Sequence, residues 1–135
     1  MHRVRYRRPA KSGLILLAVV CGIFVPIYWF GDAQEHSQHV RVTADIQKLN
    51  TQLALYKSMN GFFPTTDQGL QALVVQPDTD PRPMRWHQLY KKLAKDPWDN
   101  DYIYREPGFK NPNGYDLFTA GPDRKPGTAD DDWGD

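Results

Sequence analysis

"ADIQKLNTQLALYKSMNGFFPTTDQGLQALV", residues 44–74, holds a helix, its stop signal and the start of a second, shorter element. With Val42 just upstream, Ile46, Leu49, Leu53 and Tyr56 recur at spacings of four, three, four and three. That is one face of an α-helix, and Asp45, Lys48, Gln52 and Lys57 fall opposite it. Asn60-Gly61 ends the pattern, because both residues tolerate the left-handed conformation of a helix C-terminus. Pro64 then biases Phe63 away from helix, so Phe62, Phe63 and Pro64 are expected to be extended. Thr65-Thr66-Asp67-Gln68 has the form of a capping box, with Thr65 and Gln68 serving each other's backbone N–H groups. Leu70, Leu73 and Val74 give a short following helix an apolar face, with Phe62 or Phe63 packed beside it.

Upstream the helical pattern runs back towards "GLILLAVVCGIFVPIYWFG", residues 13–31, nineteen positions without a formal charge. A bilayer crossing takes roughly 20 such residues, with about 17 as the lower limit. Tyr28 and Trp29 stand where interfacial aromatics belong. The run is long for a signal-peptide core and no small-x-small site follows it cleanly, so an anchor is the better reading than a cleaved signal. The flanking arginines and unbroken apolarity argue against a buried core helix. Pro26 is expected to kink the helix and Gly31-Asp32 to loosen it.

Charge supports the same division. The net charge of +1 conceals an asymmetry, because five of the seventeen basic groups lie in residues 1–13 with no acid among them. The remaining twelve face all sixteen acids downstream, a balance of −4. A basic tail abutting an apolar span reads as membrane topology rather than nucleic-acid binding, with the tail cytoplasmic and the rest outside. The expected organisation is a basic tail (1–12), a transmembrane helix (13–31), an amphipathic helix continuing it (32–60) and a globular head (61–135). The only cysteine, Cys21, is in the span, so an exported head has no disulfide of its own. About a hundred residues must then fold around a small core, and a metal or a neighbouring subunit would help.

Within the head, Pro77, Pro81 and Pro83 mark an irregular segment, "WHQLYKKL" (86–93) suits a turn or two of helix, and "DPWDN" (96–100) is turn chemistry. "YIYR" (102–105) and "YDLFT" (115–119) read as a hairpin with a long connection. The fold class is therefore α+β, a long N-terminal helix with a small head.

The tail "AGPDRKPGTADDDWGD", residues 120–135, gathers Asp123, Asp130, Asp131, Asp132 and Asp135 among glycines and prolines. Ca²⁺ takes about six to eight oxygens from carboxylates and turn carbonyls. Asp123 with Asp130 and Asp131 could close around one ion if the loop folds back; a solvated acidic terminus is the alternative. The acid spacing is not that of an EF-hand. His36 and His39 form an i,i+3 pair best read as surface histidines, and Asp96 and Asp99 as turn-formers. With no glycine-rich phosphate loop and no nucleophile near a base, the sequence reads as non-enzymatic.

Residues 44–74 together with "DPWDNDYIY" (96–104) and "YDLFTAGPD" (115–123) resemble the G-type, or major, pseudopilins of bacterial type II secretion, in order and near their spacing. The likeness spans residues 40–132. It implies a pilin-like fold in which a membrane-embedded helix carries a small head with a β-hairpin and a C-terminal calcium loop. It implies a single-pass inner-membrane protein with a periplasmic head, stacked with sister pseudopilins as a homo-oligomeric filament. That filament works with an inner-membrane platform, an assembly ATPase and an outer-membrane secretin. Carried over by position, Asp123, Asp130 and Asp131 would supply carboxylates to Ca²⁺, Ala120 and Lys125 carbonyls, and Thr128 an oxygen. "DDDWGD" also admits a frame one residue along, with Asp132 a ligand instead.

The front departs from the family pattern. Members are cut after a glycine that precedes phenylalanine and carry glutamate at the fifth mature position, where it pairs with a neighbour's terminal amine. Here Gly13 precedes Leu14, the fifth residue from Leu14 is Ala18, no acid occurs before Asp32, and Pro26 is only thirteenth. Gly13-Leu14 is the candidate processing site, and loss of the glutamate removes a device that fixes helix register. A chain that stays anchored, binds Ca²⁺ and docks to the machine without polymerising is therefore the alternative to a filament subunit.

Overall fold

The computed structural model describes residues 12–135, with side chains from residue 34 onward. Residues 1–11, and the side chains of the apolar run and of the Gly13-Leu14 junction, lie outside the described residues. Among the described residues no helix is long and apolar enough to cross a membrane. Helix α1 is continuous from Ser12 to Asn60, with no break assigned at Pro26 or Gly31. Contacts divide the chain into two compact units, residues 1–36 and 37–135. The second unit thus contains the last part of α1 together with the head.

That unit is organised by one face of α1. Val42, Ile46, Leu49, Leu53 and Tyr56 are all buried, and they form one cluster with Leu70, Ala72, Leu73, Tyr102, Tyr104 and Leu117. The periodicity in the sequence is therefore the floor of the core. α1 stops where expected. Gly61, at φ +89°, donates to the Lys57 carbonyl at 2.7 Å, and the Asn60 amide donates to the Tyr56 carbonyl at 3.0 Å. The same Asn60 accepts from the Arg85 N–H at 3.0 Å, tying the helix end to the proline-rich segment.

The capping box forms as read. Gln68 N–H donates to Thr65 Oγ1 and Thr65 N–H to Gln68 Oε1, both at 3.2 Å. The helix expected after it is a single 3₁₀ turn, Leu70–Leu73, entered through Gly69 at φ +56°. It buries Leu70, Ala72 and Leu73. Phe62 packs edge-on against Tyr56 at 6.2 Å, and Phe63 against Tyr115 at 4.8 Å, with the Lys57 ammonium 4.4 Å from the Phe63 ring centre. Both phenylalanines are only partly buried, so they close the neck without being its core.

One expectation needs correction. Residues 86–93 contain no helix. The Leu73 carbonyl takes both the Leu89 and Tyr90 N–H groups at 2.9 Å, and Trp86 Nε1 donates to the Ala72 carbonyl at 2.7 Å. The orphan carbonyls of the 3₁₀ turn thus hold this segment open, and tertiary demand overrides a weak helical pattern. Asp45, opposite the apolar stripe in the sequence, is drawn inward. Its side chain is 15 % exposed, accepts from the Tyr102 hydroxyl at 3.2 Å, and lies 3.7 Å from Arg41 and 3.4 Å from Lys48.

The hairpin consists of β1 (Ile103–Arg105) and β2 (Asp116–Phe118), antiparallel, with Ile103 opposite Phe118, Tyr104 opposite Leu117 and Arg105 opposite Asp116. Its long connection is shaped by the buried Asp116 carboxylate, which accepts from the N–H groups of Phe109, Lys110 and Asn111. Tyr104 hydroxyl donates to the Pro64 carbonyl at 2.8 Å, joining hairpin to neck.

Burial pushes the Tyr104 and Tyr102 hydroxyls well above the ordinary tyrosine value of 10.0, and for Tyr102 the Asp45 charge adds to it. Folding thus favours the protonated phenols, so their contribution is complete below pH 10.0 and is lost as pH rises above it. Melting temperature should fall steeply above about pH 10, and less steeply in Tyr102→Phe. A flat alkaline profile would contradict this packing.

Candidate metal-binding loop

β2 delivers the chain into the acidic loop through Thr119 and Ala120, both buried. Asp96, only 2 % exposed in the "DPWDN" turn, holds this entrance. Its Oδ1 accepts from the N–H groups of Trp98 (2.9 Å) and Asn100 (2.7 Å). Its Oδ2 accepts from Asn100 Nδ2 at 3.1 Å and from the Thr119 hydroxyl. Asn100 Nδ2 also donates to the Gly121 carbonyl at 3.0 Å. Asp99, at φ +67°, completes the turn. A buried carboxylate is tolerated where such donors surround it. The sequence identified Asp96 as a turn-former. Its second task, anchoring a strand end 23 residues away, is visible only in three dimensions.

The exit is closed against the entrance. Thr119 and Asp132 form an antiparallel bridge, exchanging backbone hydrogen bonds at 3.0 and 2.9 Å. Gly121, at φ +64°, lies so close to the Asp130 carbonyl that any Cβ there would collide with it. The segment between is a loop with its ends joined.

Inside it the expected ligands are distributed unevenly. Asp123 is exposed, and its Oδ1 accepts from Lys125 N–H at 2.8 Å. The Lys125 carbonyl accepts from Thr128 Oγ1 at 3.2 Å, and Thr128 Oγ1 lies 3.4 Å from the Asp130 N–H. Asp130 is exposed. Asp131 turns inward: its Oδ2 accepts from Gly127 N–H at 2.8 Å, while its Oδ1 is shielded from solvent and makes no hydrogen bond. Asp132 differs from its neighbours, with Oδ2 2.9 Å from His39 Nδ1 and Oδ1 accepting from Gly134 N–H at 2.9 Å. Among the described residues no three histidine, cysteine, aspartate or glutamate side chains are grouped as metal ligands.

Beyond Asp132 the tail lies on the rest of the head. Trp133 stacks on Phe118 at 4.2 Å with the Lys110 ammonium 3.5 Å from its ring centre. A Cβ on Gly134 would stand 3.1 Å from Ile46 Cδ1 and 3.2 Å from Thr43 Cα, so the tail rests directly on α1. His39, expected as a bare surface histidine, is instead a partner of this tail; the sequence separation of 93 residues hides that pairing.

The chemistry available is that of hard oxygen donors. An unpaired, shielded carboxylate oxygen costs free energy unless something answers it. A Ca²⁺ ion would, and the donor set fits Ca²⁺ better than a soft metal, since it contains carboxylates, carbonyls and a hydroxyl. The open groove of about 380 Å³ between α1 and the 3₁₀ turn holds Asp67, Asp101, Tyr102 and Tyr104 but no serine, cysteine or histidine.

Comparison with known proteins agrees with this architecture. The profile of type II secretion system (T2SS) protein G matches residues 30–134. The chain is 36 % identical over 124 residues to the type II secretion system core protein G of Pseudomonas aeruginosa, covering 88 % of this chain and 82 % of that one. It is 40 % identical over 116 residues to the Vibrio cholerae protein of the same name, covering 84 % and 76 %. The crystal structure of the major pseudopilin from the type 2 secretion system of enterohaemorrhagic Escherichia coli superimposes with a TM-score of 0.68 at 35 % identity, over 74 % of this chain and 88 % of that one. The helix with its small antiparallel hairpin is accordingly a pilin-like α+β fold, and the chain belongs to the type II secretion system protein G family, as a structural pseudopilin component of that system.

Proposed function

We propose that the chain is a single-pass inner-membrane pseudopilin that supports protein export as one subunit of a periplasmic filament. Residues 13–31 form its anchor, residues 1–12 are cytoplasmic, and the head is periplasmic. Its partners are sister pseudopilins and the inner-membrane secretion platform, and its role is structural, without catalysis. The charge asymmetry about the apolar run supports the topology. The extent of the family match supports the filament role.

The head carries one Ca²⁺ in the loop that leaves β2. Asp123, Asp130 and Asp131 would contribute carboxylates, Ala120 and Lys125 carbonyls, and Thr128 an oxygen. The observation that carries this reading is the shielded Asp131 Oδ1 without a partner, in a loop whose ends are already joined. Bound there, the ion would neutralise the mutual repulsion of three carboxylates and add stability to a head that has no disulfide. The loop's own hydrogen bonds, Gly127 to Asp131 and Lys125 to Asp123, keep its backbone turned meanwhile.

One observation favours a second reading, an anchored calcium-binding module that docks to the machine without polymerising. Ala18 stands where family members carry the glutamate that pairs between helices. In an apolar setting that pair has no substitute nearby, since the first acid is Asp32.

Two measurements test these assignments. Millimolar Ca²⁺ should raise the melting temperature of the full chain over that in a chelator, and Asp131→Ala should abolish the difference. An unchanged melting temperature in the wild type would remove the ion from the account. The intact mass of the protein from its native membrane should begin at Leu14 for a processed filament subunit. A mass that retains the basic tail would favour the docking module.

A further inference from the structure

The three consecutive aspartates, 130 to 132, pose a question of frame that chemistry alone does not answer, since all three side chains are equivalent as ligands. We infer that His39 of α1 sets that frame. It withdraws Asp132 from the loop and thereby holds Asp131 inward as the calcium carboxylate. The inference rests on the calcium reading above and deepens it.

Three observations on Asp132 converge. Both carboxylate oxygens are engaged outside the loop, Oδ2 by His39 Nδ1 at 2.9 Å and Oδ1 by Gly134 N–H at 2.9 Å. Both backbone groups are engaged by Thr119, which is itself fixed through its hydroxyl to the buried Asp96. The residues after it are seated as well, with Trp133 on Phe118 and Gly134 against Thr43 and Ile46. Asp132 is therefore the first residue of a strap that lies on α1 and β2, and both of its oxygens are directed to partners outside the loop.

Asp131 is the complement. With Asp132 pinned towards α1 by His39 and by its bridge to Thr119, the residue before it is left to the loop. There its Oδ2 meets Gly127 N–H and its Oδ1 stays shielded and unpartnered. A slip of one residue that brought Asp132 into the loop in place of Asp131 would cost little in ligands, but it would set Trp133 opposite His39 and leave the imidazole without its carboxylate. The strap separates the two registers: a slip would unseat Trp133 from Phe118 and move a side chain into the space against Ile46 and Thr43 that only Gly134 fits. His39 is thus a positioning residue that acts on the ion through Asp132 and Asp131, and it does not touch the ion itself. Its imidazole must donate from Nδ1, since a carboxylate oxygen only accepts.

The test is Ca²⁺ titration of the full chain in detergent, with amide hydrogen exchange of residues 119–134 in chelator as the second readout. His39→Ala should weaken Ca²⁺ by about tenfold, a single charge-assisted hydrogen bond expressed as a ratio of dissociation constants. It should also speed exchange at the Asp132 amide. His39→Asn, whose amide nitrogen stands near the position of Nδ1 and can donate, should restore most of the affinity. Asp132→Asn should bind Ca²⁺ far better than Asp131→Asn, which should lose it. If Asp132→Asn loses Ca²⁺ while Asp131→Asn keeps it, the frame is the other one and the inference fails. Equal affinity in wild type and His39→Ala, with the wild type binding normally, would overturn the role of His39 and leave the calcium reading standing. No binding by the wild type at all would overturn the calcium reading, and the inference with it.

Discussion

A single stripe on α1 bears the head. Val42, Ile46, Leu49, Leu53 and Tyr56 are the longest run of buried apolar side chains in residues 37–135, and the other elements join one cluster with them. The 3₁₀ turn contributes Leu70, Ala72 and Leu73, the hairpin contributes Tyr102, Tyr104 and Leu117, and the irregular segment 86–93 covers the edge with Trp86, Leu89, Tyr90 and Leu93. With no cysteine in the head, nothing covalent supplements this packing. Buried side chains of this size contribute roughly 2–5 kcal/mol each, so a head held by one stripe depends on each member of it. A helix that is also the floor of the head's core carries any load on the helix straight into the head, which suits a structural subunit.

Much of this was legible because it is local or periodic. The stripe announces itself by its spacing, Asn60-Gly61 by its tolerance of positive φ, and Thr65 and Gln68 by their reciprocal chemistry at three residues' distance. The hairpin strands alternate or run apolar between turn residues. In each case the partner lies within one or two turns of chain, so the sequence contains both halves of the interaction. The choice of a regular helix for 86–93 failed for the opposite reason. Its donors are claimed by Ala72 and Leu73, and no pattern within the segment itself reveals that demand.

The same distinction explains the acidic loop. Its acids, glycines and prolines mark it as a turning, oxygen-rich segment, and resemblance to a family supplies a ligand set. How its two ends are joined rests on pairings across long separations: Asp96 with Thr119, Asn100 with Gly121, and His39 with Asp132. These are polar contacts between residues that carry no signal singly. Asp45 belongs with them, since a charged residue on the expected wet face is drawn in by the Tyr102 hydroxyl 57 residues away. Polar pairing at a distance fixes the entrance, the exit and the strap, while apolar periodicity fixes the scaffold to which they attach.

In the proposed filament the helix would be a shared element, core to its own head and contact to its neighbours. Cys21, the chain's only cysteine, lies in the apolar run and would report on such a contact without any engineering. Mild oxidation of native membranes should yield a disulfide-linked dimer of this chain, absent in Cys21→Ser and lost when the secretion machine is not assembled. A chain that stays monomeric through Cys21, yet crosslinks to a different protein from a photoreactive group placed in the head, would contradict the filament role.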